Sequence, residues 1–227
     1  VTQIPLPKVV LTPVRPTAFT GTFGSNNKQR FAMKKLKLQM QTSVDGFVGD
    51  DKDRTDWLVW NWGPEWTWDE ALRKHFIELH DTVDTVLLSR KMAQEGFIGH
   101  WARVAENTAG PQYPFAKAIT AAPKVVFTQT LSQSVWENTS LAKGDLATEV
   151  NALKSRPGKD LIVYGGASFV SSLVEAGLID EYHLFVNPVA LGSGLSIFKD
   201  PASKLNLRLV NTQPFDCGVT VLTYVPQ

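Results

Sequence analysis

Leu161-Ile-Val-Tyr-Gly165-Gly166-Ala-Ser168 runs from a short apolar stretch through two consecutive glycines into an amphipathic segment. Four apolar residues bounded by turn signals predict a strand buried on both faces, as in a parallel sheet. Phe169, Val170, Leu173 and Val174 then share one side of a helix over 167–176, with Gly177 placed to close it. A buried strand feeding a helix is the unit from which α/β folds are built. The glycines between them carry no side chains, so a ligand can approach the backbone there. The helix start also offers unpaired N–H groups to a phosphate. A tight strand-to-helix turn with no ligand accounts for Gly165-Gly166 equally well.

The same alternation extends outward in both directions. Apolar runs at 83–88, 124–128 and 182–186 predict further strands, and helices are expected over 67–80, 113–120 and 145–156. Trp68, Leu72, Phe76 and Leu79 share one face of the first helix, and Asp145 is placed to cap the last. Leu36, Leu38 and Met40 alternate with Lys37, Gln39 and Gln41, the pattern of a half-buried strand. Two alternating segments, 204–210 and 219–225, end the chain as an expected antiparallel pair. The order implies one α/β domain over 33–227: a mixed, mostly parallel sheet flanked by helices, with an antiparallel strand pair at its C-terminus.

The 227 residues carry 23 basic and 22 acidic side chains, a net charge of +1. That balance gives no reason to expect nucleic acid or an anionic membrane as a partner. No run of about 18 apolar residues occurs, which excludes an apolar membrane-spanning helix. Cys217 is the single cysteine, so no internal disulfide and no cysteine metal site can form, and a reducing cytoplasm is the expected setting. The four histidines lack helical i,i+4 spacing, and no metal is expected. Charge is uneven along the chain. Residues 1–32 hold four of the basic side chains and no acid, among four prolines, which leaves 33–227 at −3. The first 32 residues read as an extended or disordered basic arm, either a leader or an expression remnant.

Two more strand ends offer groups suited to an anion. Ser89-Arg90-Lys91-Met92 places two cations after a buried strand, and Thr128-Gln129-Thr130 places hydroxyls after another. Ligands of open α/β sheets bind at such carboxyl ends. Solvated surface cations are the simpler explanation for Arg90-Lys91 taken alone. Five of the seven tryptophans, Trp57, Trp60, Trp62, Trp66 and Trp68, fall within 12 residues. They can wall a flat heterocycle, or they can pack a loop onto the sheet or against a second copy.

These junctions, in this order, resemble the dihydrofolate-reductase-like superfamily. The resemblance is to bacterial proteins similar to the C-terminal reductase domain of the bifunctional riboflavin-biosynthesis deaminase/reductase. It rests on Ser43-Val-Asp45-Gly46, Leu88-Ser-Arg90-Lys91, Thr128-Gln129-Thr130-Leu131, Pro157 to Gly166 and Asn187 to Gly194. It implies an NAD(P)H-dependent reductase acting on a small pterin-like, pyrimidine-like or carbonyl substrate, and a homodimer. By the same resemblance, Tyr164, Gly165, Gly166, Ala167 and Ser168 lie near the cofactor's central phosphates. Ser89, Arg90, Lys91, Thr128 and Gln129 surround the adenosine 2′-phosphate, and Asp45 and Gly46 line the nicotinamide side. Gln129 stands where the family has arginine, so NADH is retained beside NADPH as a cofactor. Folate reduction needs an acid on the first helix, which makes Asp69 and Asp45 the candidate catalytic carboxylates and Trp57, Trp60 and Trp62 the candidate substrate wall. A first-turn helix charge explains Asp69 as well. The alternative to an enzyme is a ligand-binding or dimeric interaction protein that keeps the fold without turnover.

Overall fold

A computed structural model of the chain describes residues 33–199 and 204–227. The expected arm over 1–32 lies outside the described residues. The elements run β1 (Leu36–Thr42), α1 (Glu70–Asp81), β2 (Val83–Ser89), α2 (Arg90–Gln94), α3 (Phe97–Val104), α4 (Tyr113–Ala121) and β3 (Lys124–Phe127). They continue with β4 (Thr139–Ala142), α5 (Leu146–Lys154), β5 (Asp160–Val163), α6 (Ala167–Glu175), β6 (Glu181–Val186), β7 (Leu207–Pro214) and β8 (Thr220–Pro226). The strands form one eight-stranded sheet in the order β4-β3-β2-β5-β1-β6-β8-β7. Neighbours from β4 to β6 are parallel, and β8 runs antiparallel to both β6 and β7. This is a single α/β domain with the expected C-terminal antiparallel pair.

Helices cover both faces. Leu72, Phe76 and Leu79 of α1, Trp101 of α3 and Phe115 of α4 pack on one side of the sheet. Val150 of α5 and Val170 and Leu173 of α6 pack on the other. Burying one such Leu or Phe contributes roughly 1.5–3 kcal/mol. Capping residues set the helix starts as the sequence predicts: Asp145 accepts from Thr148 N at 3.0 Å, and Asp69 accepts from Leu72 N at 2.9 Å.

The expectation for β1 needs correction. It is not half-buried: all seven of its residues are buried, including Lys37, Gln39 and Gln41. The cause is position. β1 lies inside the sheet between β5 and β6, where helices cover both faces, so no face of it meets solvent. Three further differences are local. The segment 90–104 forms the short helices α2 and α3, which its weak periodicity conceals. The edge strand β4, four residues of which only Ala142 is buried, is not among the expected strands, and the last hairpin begins at Leu207 rather than 204.

Candidate functional site

A cleft of about 700 Å3 opens at the carboxyl ends of β1, β2 and β5, where the strand-glycine-helix junction lies. Such a volume suits a small-molecule or cofactor site. Tyr164, Gly165, Gly166, Ala167 and Ser168 all line it. Gly165 and Gly166 have φ of +156° and +77°. A Cβ on Gly166 would stand 2.8 Å from Ser89 Oγ, so that turn has room for no side chain. Gly166 caps α6 without a side-chain hydrogen bond, which leaves the first N–H groups of that helix free at the cleft wall.

The β2–α2 junction meets this turn from the opposite side. Ser89 lines the cleft and accepts from Met92 N at 3.1 Å, capping α2. Lys91 also lines it, but its ammonium is held by Asp53 at 2.5 Å and by Glu95 at 3.7 Å. The Asp53 hydrogen bond raises the Lys91 pKa above its ordinary value. Arg90 is solvent-exposed and donates to Gln94 Oε1 at 2.7 Å, outside the cleft lining. Thr128 is buried, its Oγ1 accepting from Thr130 N and Leu131 N at 3.2 Å each. Gln129 donates to Lys143 O at 3.2 Å. The Thr128 hydroxyl therefore ties its own turn and the Gln129 amide ties that turn to the segment after β4, and neither lines the cleft.

Both candidate carboxylates are engaged elsewhere. Asp69 Oδ1 caps α1, while its Oδ2 accepts from Cys217 N at 3.0 Å. Burial raises its pKa, but the N–H groups of Cys217 and Leu72 outweigh that and lower it overall. Asp45 accepts from Ser43 Oγ at 2.6 Å and from Gly192 N at 2.7 Å, fastening the β1 turn to the 191–192 loop. These bonds, that from Ser43 foremost, bring its pKa down to about 2. Neither Asp69, Asp45 nor Gly46 lines the cleft. A carboxylate bound to several N–H and O–H donors is stabilised in its ionised form, which makes it a poor proton donor.

The tryptophans divide between core and cleft. Trp60, Trp66 and Trp68 are core residues, with Trp60 centred 4.9 Å from Trp68 and 5.3 Å from Trp66. Trp57 donates to Arg54 O at 3.1 Å and stays outside the lining. Only Trp62 of the expected wall lines the cleft, joined by Trp101, whose ring stands edge-on to it at 5.7 Å. Trp101 sits on α3, whose eight residues gave the sequence too short a period to read.

Four groups that the sequence reading left out also face the cleft: Gln39 and Gln41 from β1, and Phe97 and His100 around α3. The signal for the glutamines was present. Polar residues alternating in an inner strand of a parallel sheet, whose faces helices cover, have no solvent to face. Tyr164 closes the cleft's inner side. His80 Nδ1 lies 2.6 Å from Phe76 O, an acceptor only, so Nδ1 carries the proton and Nε2 accepts from the Tyr164 hydroxyl. Burial lowers the His80 pKa to about 4 and raises that of Tyr164. The imidazole is thus neutral, and the pair is a satisfied hydrogen bond in the core. Among the described residues, no group of three or more His, Cys, Asp or Glu is placed to hold a metal ion. No described helix is long and apolar enough to cross a membrane.

Residues 34–221 match the family model described as the RibD C-terminal domain. The uncharacterized protein YyaP of Bacillus subtilis (strain 168) is 30% identical over 203 residues, 88% of this chain and 97% of the relative. Among solved structures, the fold is similar to that of a Thermotoga maritima diaminohydroxyphosphoribosylaminopyrimidine deaminase/5-amino-6-(5-phosphoribosylamino)uracil reductase. That likeness has a TM-score of 0.59 at 18% identity, covering 86% of this chain and 57% of the other. It is also similar to that of a dihydrofolate reductase from Enterococcus faecalis complexed with NADP(H), with a TM-score of 0.50 at 13% identity over 85% and 96% of the two chains.

Proposed function

The chain belongs to the RibD C-terminal domain family, and from that premise we propose that it is an NAD(P)H-dependent reductase transferring hydride to a small pterin-like, pyrimidine-like or carbonyl substrate. The observation that carries the reading is the Gly165-Gly166 cradle. It combines two left-handed glycines, a side-chain-free approach and an uncapped helix start on one wall of a 700 Å3 cleft. These features fit a dinucleotide's phosphates: the N–H groups of α6 would hold the negative charge, and a side chain at Gly166 would occupy the path. Bound there, the cofactor supplies a hydride, chemistry that no side chain of the protein offers.

The chain's own part is to bind, orient and exclude water. Trp62, Trp101, Phe97 and Tyr164 give the cleft flat apolar walls on which aromatic rings can rest. Orientation of this kind removes much of the entropic barrier to a two-reactant step. Lys91 and Arg103 are the cations that line the cleft for a phosphate, Lys91 in competition with Asp53. Because Arg90 and Gln129 already have partners outside the cleft, NADH stands beside NADPH as a cofactor of this site.

A specific observation also favours binding without turnover: Asp45 and Asp69, the two expected acids, are both fixed as structural acceptors. One experiment separates the readings. Tryptophan fluorescence is followed during titration with NADPH and with NADH, then NADPH oxidation is measured over a panel of pterins, pyrimidines and ketones. The reductase reading expects saturable quenching through Trp62 and Trp101, with oxidation by at least one substrate. Binding without oxidation favours the silent binder. No saturable response to either dinucleotide overturns the cofactor assignment. Gly166→Val should weaken the dinucleotide at least about tenfold through backbone strain and the blocked approach. The proposal includes a cytoplasmic homodimer, which chain mass in solution checks.

A further inference from the structure

Gln39 poses a problem that the fold alone leaves unsolved. It lies mid-strand in β1, 1% exposed, and among the described residues its Nε2 meets no acceptor. A buried donor left unpaired is destabilising, because it has given up its bond to water and gained none in exchange. Its neighbour on the same face, Gln41, is tied at both ends. Gln41 Nε2 donates to Trp60 O at 3.4 Å, and Gln41 Oε1 accepts from Asn187 Nδ2 at 3.4 Å. The groups flanking Gln39 are also engaged. His183, its register partner on β6, lies with Nε2 2.6 Å from Glu181, and the hydroxyl of Tyr164, beyond the β5 end, goes to His80. The opposite face of β1 is filled by Leu36, Leu38 and Met40, so an apolar residue at 39 would be the stable choice for the fold. Yet Gln39 lines the cleft.

Resting on the reductase reading above, we propose that Gln39 is a specificity-determining residue whose carboxamide hydrogen-bonds an uncharged amide-type carbonyl of the molecule bound in the cleft. The chemistry follows from what the cleft presents. Its carboxylates, Asp53 and Glu95, stand exposed and are paired with Lys91. Lys37, the ionised group that shares this face of β1, is held by Asp160 and Thr82 at the strand's other end, so toward the cleft the carboxamide offers a neutral donor to a neutral acceptor. A cationic ring would meet no counter-charge there. A primary amide also presents N–H and C=O side by side, the complement of a lactam edge. Two sources supply such a carbonyl: a lactam of the substrate ring, and the carboxamide of a nicotinamide.

Gln39→Met keeps the side chain's length and removes its polarity. The test compares it with the wild-type chain by calorimetric binding of NADP+, of 2′,5′-ADP, which lacks the nicotinamide, and of pteridine-2,4-dione in the presence and absence of NADP+. Thermal unfolding of the free protein is measured alongside. The proposal expects Tm of the variant unchanged or raised by about 2–4 °C, because an orphaned donor has gone. It also expects a roughly tenfold loss of affinity for one carbonyl ligand. Loss confined to NADP+, with 2′,5′-ADP unaffected, assigns the carbonyl to the cofactor. Loss confined to the dione assigns it to the substrate. Equal affinities in variant and wild type for every ligand overturn the proposal and leave the reductase reading intact, as does a fall in Tm with binding unchanged. A wild-type chain that binds none of the three, and does not bind NAD+ either, overturns both.

Discussion

Around the amino-terminal ends of the parallel strands, Lys34 reaches Asp84 at 2.7 Å and Lys37 reaches Asp160 at 3.1 Å. Lys154 meets Leu178 O at 2.7 Å together with the Asp180 carboxylate, and Lys124 donates to Thr120 O and Ala122 O at 2.8 and 2.7 Å. At the opposite ends of the same strands, Gln39 Nε2 and His100 Nε2 have no partner among the described residues, α6 begins uncapped, and two glycines hold the backbone open. Both edges carry a cavity, about 620 Å3 at the first and about 700 Å3 at the second. Volume therefore does not distinguish them. What differs is how the buried charges and amides are matched. The first edge pairs its lysines within the chain and leaves only the hydroxyl of Thr120 without a partner among the described residues. The second leaves donors aimed at open space, at a cost in stability that a bound partner would relieve.

The largest expected effect breaks the matched edge. Asp160→Ala removes the partner of Lys37, whose side chain is 8% exposed, and an acceptor of Lys35 N. Stranding a buried cation typically costs 3–5 kcal/mol. The hydrogen bond from Lys37 to Thr82 Oγ1 at 2.7 Å offsets part of that, so about 2–4 kcal/mol is expected by urea unfolding. Dinucleotide affinity of the folded variant should stay unchanged, since the other edge is untouched. A parallel loss of affinity would show that the two edges are coupled.

Acidification probes the wall between edge and core. The unfolded chain takes up the His80 proton near 6.5 and the native chain only near 4, so the unfolded state binds more protons between those values. Stability should be fully present above pH 6.5 and fall as pH drops toward 4, by roughly 3 kcal/mol for this residue. His75 and His100, also lowered chiefly by burial, add to the same slope. Urea unfolding at pH 7 and pH 5 measures it. Replacing His80 and Tyr164 together by Phe removes donor and acceptor at once and should flatten the slope. A slope unchanged in the double variant would assign it to the other two histidines.

The smallest effect sharpens the unmatched edge. Asp53→Ala frees Lys91 at the rim and should tighten NADPH by about two- to fivefold at low salt, as expected of an exposed ion pair. The gain should vanish at high ionic strength, read by the same fluorescence titration. A gain of equal size for NADH would show that Lys91 does not face the 2′-phosphate.

Much of the scaffold was legible in the chain because local rules agree with the fold. Asp145 and Asp69 cap the helices they precede, and the apolar face Leu72, Phe76, Leu79 is the buried face of α1. The site was legible where backbone chemistry carries it. Gly165 and Gly166 belong to the cleft because only glycine fits that turn. It stayed ambiguous where a side chain has two possible uses. Asp69 looks like an acid and serves as a cap, while Trp60 looks like a wall and is core.

By itself, the sequence determined the order of the longer strands and helices and the strand-glycine-helix junction, because hydrophobic period, caps and glycine act over a few residues; the short elements α2, α3 and β4 were beyond that reach. Only the tertiary structure decided which polar groups are satisfied. Lys37 and Gln39 lie two residues apart on one face of one strand and are both buried, and nothing local separates them. Their difference arises because parallel strands bring Asp160 to one end of β1 and the open cleft to the other, and hydrogen-bond matching is a property of neighbours distant in the chain.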